Sequence, residues 1–96
     1  MKSTTPEQEL LQLRAEVDAI DTHILQLLKK RTELACAMGL LKKSIGRNLQ
    51  DSAREAAILT RVKEENGTNT PVLREEFLLP IYKQIMALAL DAQCKI

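Results

Sequence analysis

The chain has 96 residues, 45% hydrophobic and 28% charged, with a net charge of +1. That length points to one domain over residues 1–96, and the balanced charge excludes a basic field for nucleic acid. No apolar run is long enough for a bilayer, and residues 1–8 are too polar for a secretory signal, so a cytoplasmic protein with no membrane partner is expected.

Residues 6–45 form the first predicted element. Between Glu7 and Met38 there is neither proline nor glycine, and the apolar residues recur at helical spacing. One track reads Leu10, Leu13, Val17, Ile20, Ile24, Leu27, Arg31, Leu34, Met38, Leu41 and Ile45. Its steps alternate three and four, which is a heptad seam. Thr5 suits the N-cap, Pro6 the first helical position, and Thr5 with Gln8 fits a capping box. Gly39 lowers helicity without ending the helix. A helix of about 40 residues is roughly 60 Å long, whereas a compact chain of this size has a radius of gyration of about 12–13 Å. The seam therefore outruns one compact monomer, and a second copy in two-fold symmetry is the simplest cover.

The stretch Lys43-Ser44-Ile45-Gly46-Arg47-Asn48 reads as a loop, and a second helix should begin between Asn48 and Asp51. Its apolar face is Leu49, Ala53, Ala57, Ile58, Leu59 and Val62, with Arg54 and Glu55 extending that face toward its start. Asn66-Gly67 ends it. Thr68 to Pro71 is the second loop, with Thr70 and Pro71 restarting a helix. The third apolar set is Val72, Leu73, Phe77, Leu78, Ile81, Ile85, Leu88 and Ala92. Pro80 within it should kink or split the helix. Aromatic residues are limited to Phe77 and Tyr82, so the core is aliphatic. The expected fold is all-α: three helices, one very long, in an intertwined homodimeric bundle.

The charges near the seam point to chemistry. Arg31 occupies a heptad position, and the neighbouring track holds Arg14, Asp21, Leu28, Ala35 and Lys42. Arg31 and Lys42 have no acid three or four residues away, so local pairing does not account for them. A buried unpaired cation is costly, so either acids elsewhere in the fold or an anionic ligand must meet them. Arg31 and Lys42 are 11 residues apart, roughly 16 Å along a helix, which leaves a gap for a small anion. Arg14 precedes Arg31 by 17 residues, roughly 25 Å. If it acts in a site, that site is the partner subunit's. The polar set becomes Arg14 from one chain with Arg31, Lys42, Asp51, Arg54, Glu55 and Gln93 from the other. It suits binding a dianion and stabilising shifting charge, and it lacks an activated nucleophile. His23 stands alone and reads as an ordinary surface or interface residue. Cys36 and Cys94 fit no metal or redox spacing and read as buried free thiols.

In these blocks the chain resembles the all-helical (type II) chorismate mutases. Leu13-Arg14 with Asp21, Leu27-Leu28-x-x-Arg31-x-x-Leu34-Ala35 and Gly39-x-x-Lys42 are similar to the family's first helix. Asp51-x-x-Arg54-Glu55 is similar to the start of the second, and Gln93 to a Gln or Glu near the end of the third. The resemblance implies conversion of chorismate to prephenate by an intramolecular Claisen rearrangement in tyrosine and phenylalanine biosynthesis, with no cofactor and no metal. It implies that Arg31 and the partner's Arg14 grip the two carboxylates, and that Lys42 and Gln93 donate to the ether oxygen. Glu55, with the Asp51 backbone, would accept from the ring hydroxyl, and Arg54 would orient a carboxylate or the neighbouring acids. Some members carry a hydroxyl residue where this chain has Ala89, which removes one hydrogen bond to a carboxylate. Two rivals keep the architecture and change the substrate: an isochorismate pyruvate lyase and an aminodeoxychorismate mutase. A third is a non-catalytic regulatory helical dimer. An upstream shikimate-pathway enzyme is a candidate partner.

Overall fold

The computed structural model describes residues 3–67 and 72–95, and among these the protein is built of three helices. They are α1 (Pro6–Ser44), α2 (Ser52–Asn66) and α3 (Glu75–Cys94). The chain divides into two compact units, residues 1–30 and 31–96, with α1 running through the division.

The first unit is one helical segment with a well-formed start. Thr5 Oγ1 accepts from the Gln8 N–H at 3.2 Å, and Gln8 Oε1 accepts from the Thr5 N–H at 2.9 Å. This is the reciprocal capping box expected from the sequence, and it satisfies two otherwise orphaned backbone donors. Every residue from 3 to 27 is exposed, including the whole apolar seam from Leu10 to Leu27. The segment carries no core of its own.

The second unit holds the core. Ile58 and Val62 of α2 pack with Leu78 and Met86 of α3, flanked by Leu59, Leu79 and Tyr82. The part of α1 in this unit buries Ala35 and Gly39. Cys36 Sγ donates to the Ala92 carbonyl at 3.8 Å, tying α1 to the end of α3. The buried face of α1 is therefore the Ala35–Lys42 track, one residue beyond the heptad seam. Leu34, Met38, Leu41 and Ile45 of the seam are each at least half exposed.

The helix ends follow local chemistry. Asp51 caps α2, its side chain accepting from the Arg54 N–H at 3.0 Å. Gly67 ends α2 at φ 71°, where its N–H reaches the Lys63 carbonyl. Asn66 Nδ2 donates to the Leu73 carbonyl at 2.7 Å and so bridges the connection to α3.

Three expectations are corrected. The restart at Thr70-Pro71 lies outside the described residues, and α3 begins only at Glu75, so Val72 and Leu73 precede it. Of the two effects expected at Pro80, a kink or a split, the split is absent: α3 runs unbroken from Glu75 to Cys94. Pro80 is the sixth residue of the helix, so it removes one backbone N–H, the donor to the Glu76 carbonyl, while the bonds on either side carry the helix through. Cys94 is exposed and Cys36 only half-buried; both thiols are free. No described helix is long and apolar enough to cross a membrane.

Candidate active site

The centre of the second unit's polar chemistry is Lys42, on the last turn of α1. Its ammonium donates to the Leu49 carbonyl at 2.7 Å and to Gln93 Oε1 at 2.9 Å. An ammonium has three donors and no acceptor, so the amide of Gln93 must turn its oxygen toward Lys42. That leaves the Gln93 NH2 as a donor facing elsewhere, and one Lys42 N–H without a partner. Both acceptors are neutral, so the positive charge is solvated but not neutralised. Gln93 is buried at 5% exposure, the one buried polar residue among those described. The end of α1 and the loop that follows it thus meet the distant end of α3 at one cation.

Beside Lys42 lies an open hollow of about 450 Å³. Met38, Leu41 and Ile45 give it an apolar wall, and Lys42, Arg47 and Asp51 give it charge. Asn48, Gln50 and Ser52 complete the rim. A hollow of this kind, mostly apolar with a few convergent polar groups, suits a small anionic organic ligand.

The expected site residues fall into three groups. Lys42 and Asp51 line the hollow, and Gln93 is joined to it through Lys42. Arg54 and Glu55 stand on the first turn of α2, tied to Asp51 by their N–H groups: Arg54 to the carboxylate, Glu55 to the carbonyl at 3.0 Å. Arg54 is exposed, and Glu55, Arg31 and Ala89 are half-buried. Arg14 is exposed on α1 in the first unit. Among the described residues none of the ion pairs involves Arg14, Arg31, Lys42, Arg47 or Arg54; the pairs formed are Arg61–Glu65, Arg74–Glu76 and Asp91–Lys95. Among the described residues, then, no acid forms an ion pair with Arg31 or Lys42. No group of three or more His, Cys, Asp or Glu is placed to hold a metal among the described residues.

Arg47 was absent from the residues singled out by charge and spacing. It sits on the turn after α1, outside the helical periodicity that drew attention to the other cations. The signal that points to it is Gly46, a glycine just past the helical run that marks a helix C-terminus and fixes where the next side chain goes.

Comparison with known proteins shows the family. Residues 13–94 match the family described as Chorismate mutase type II. The chain is 34% identical over 93 residues to the bifunctional chorismate mutase/prephenate dehydratase of Aquifex aeolicus, covering 93% of this chain and 25% of that protein. It is 33% identical over 64 residues to the intracellular chorismate mutase of Mycobacterium tuberculosis, covering 67% of this chain and 61% of that one. The chain thus spans a quarter of the first relative's length and less than two thirds of the second's. A solved structure of a conserved hypothetical protein from Pyrococcus furiosus is similar over 96% of this chain and 99% of its own, at TM-score 0.70 and 35% identity. The family match runs from Leu13 in the seam to the end of α3, and so takes in every candidate site position gathered above: the chain belongs to the chorismate mutase type II family.

Proposed function

We propose that the protein converts chorismate to prephenate. One carbon–oxygen bond breaks while one carbon–carbon bond forms within the same molecule, so neither a proton donor nor a nucleophile is consumed. What the site must do is hold the compact conformer and stabilise the negative charge that grows on the departing ether oxygen. The observation that carries this reading is the Lys42 ammonium, fixed by Leu49 and Gln93 at the edge of a hollow and left without a counter-ion. In this reading its remaining N–H, and the amide nitrogen of the Gln93 that holds it, donate to an oxygen that becomes anionic only in the transition state. Their orientation is set before substrate arrives, so no reorganisation is needed during the reaction.

In this reading Arg31 and the partner's Arg14 grip the two carboxylates, for which a planar guanidinium offers bidentate contacts. Glu55 and the Asp51 backbone accept from the ring hydroxyl, and Arg54 orients a carboxylate or those acids. Ala89 offers no hydrogen bond. The working unit is a homodimer, because the seam of α1 needs a cover and each site needs an arginine from the other chain.

Loss of chorismate absorbance with identification of the product tests the reaction. Prephenate is expected from chorismate, with no pyruvate released from isochorismate and no rearranged product from aminodeoxychorismate. Lys42→Ala should keep its helicity and lose at least about a hundredfold in kcat/KM, the typical effect of removing one transition-state donor, and Arg31→Ala should keep its helicity and lose about as much through the bidentate charged contact it removes. Near-normal turnover in either variant would refute the assignment of that residue.

A further inference from the structure

The turn that ends α1 holds an arrangement the proposed reaction has not used. The Arg47 N–H donates to the Lys42 carbonyl at 2.8 Å, and the Gly46 N–H to the Lys43 carbonyl at 3.3 Å. Gly46 has φ 70°. This is a Schellman motif, with Lys42 and Arg47 closing its six-residue ring. Such a turn ordinarily brings the side chains at those two places into apolar contact. In this chain both are cations, and both line the same hollow.

The pair is not neutralised. The Arg47 guanidinium has neither an ion pair nor a side-chain hydrogen bond among the described residues. Lys42 has only neutral acceptors. Asp51 is the one acid on the wall; it caps α2 through the Arg54 N–H, and among the described residues it forms no ion pair with Lys42 or Arg47. Two like charges held together by a backbone ring are unfavourable in the empty site, and an entering anion relieves that repulsion.

We propose that Arg47 is a substrate-binding residue: from the rim it takes the carboxylate of the incoming dianion that lies nearest the α1–α2 turn, beside Lys42. This rests on the chorismate mutase reading and adds a contact to it. Because Arg47 is exposed and meets a carboxylate whose charge does not change during the rearrangement, its contact is equally strong in ground and transition states. It therefore acts on capture and affinity, and not on the chemical step. An exposed cation also steers a dianion from a distance, an effect that salt screens.

Steady-state kinetics of the full chain with chorismate, at low and high ionic strength, test the proposal. Arg47→Gln should raise KM about tenfold with kcat within about twofold, the size of a lost charged hydrogen bond. It should also flatten the salt dependence of kcat/KM. Arg47→Lys should keep the salt dependence and recover only part of KM. Arg61→Gln, which removes an exposed cation on α2, should change none of these. If Arg47→Gln matches the wild type in KM and salt dependence, Arg47 does not bind substrate, and the chorismate reading stands. If Arg47→Gln lowers kcat and the melting temperature together, its role is structural and the proposal fails. If the wild-type chain leaves chorismate unchanged, the reading beneath the proposal fails and takes it along.

Discussion

A cation held between neutral acceptors differs from one in a salt bridge: its field remains available. Lys42 commits two donors, to the Leu49 carbonyl and Gln93 Oε1, and keeps its charge. Replacing Gln93 with Leu keeps the volume nearly constant and removes an acceptor from a buried position. The expected outcome is a loss of about 1.5–3 kcal/mol in stability, the range for hydrogen bonds to charged groups, with a larger relative loss in kcat than in KM. Thermal melting and steady-state rates check it together. Asp51 separates differently. Its carboxylate caps α2 through the Arg54 N–H, while the function proposed for it uses only its backbone. Asp51→Ala should cost about 1 kcal/mol by denaturant unfolding, and Asp51→Ser should recover most of that because a hydroxyl also caps. Activity that falls with Ala and returns with Ser would match a role in placing the helix. Activity lost in both would mean that the carboxylate itself touches substrate.

Helix ends were the most legible parts of the sequence, because their chemistry is local. Thr5 with Gln8, Asp51 before α2 and Gly67 after it each act within a few residues, and each forms the hydrogen bonds its residue type calls for. Which apolar stripe faces which neighbour was not legible. On α3 one stripe holds Leu78, Tyr82, Met86 and Gln93, and these pack inward. The other holds Leu73, Phe77, Ile81 and Leu88, and these are exposed, with Leu73 just before the helix. Both have helical period, and periodicity alone says nothing about what covers a face. The third apolar set therefore omits Met86, which is buried, and includes Phe77 and Leu88, which are exposed. Arg47 was missed because its position depends on the turn at Gly46 and not on a repeat. That turn gives its own prediction. A Cβ at Gly46 would meet nothing within 4 Å, so Gly46→Ala is opposed only by its φ of 70°. The cost should be about 1–2 kcal/mol, read as a lower melting temperature. If Arg47 binds substrate, the same change should raise KM, because relaxing the turn moves the guanidinium off the rim.

Ten apolar residues of the α1 seam, from Leu10 to Ile45, are between 46% and 69% exposed. A large aliphatic side chain gains about 1.5–3 kcal/mol on full burial, so half-exposed ones retain roughly 1 kcal/mol each. Two chains covering each other's seams would gain on the order of 20 kcal/mol, against an association cost of about 4–15 kcal/mol. The balance supports the proposed homodimer, and if that dimer forms, Ile24→Asp should yield a monomer with reduced helicity by light scattering and circular dichroism. A dimer by itself does not make a shared site, and Arg14 decides that point. If each site uses Arg14 of one chain and Arg31 of the other, Arg14→Ala and Arg31→Ala homodimers are both inactive. Their mixed dimer then has one site lacking both arginines and one lacking neither. With random subunit exchange half the dimers are mixed, so the mixture should regain about a quarter of wild-type activity. If both arginines served a site of their own chain, every site in the mixed dimer would lack one of them, and no activity would return once exchange had been verified by mass spectrometry. The recovered fraction therefore reads directly whether the catalytic unit is one chain or two.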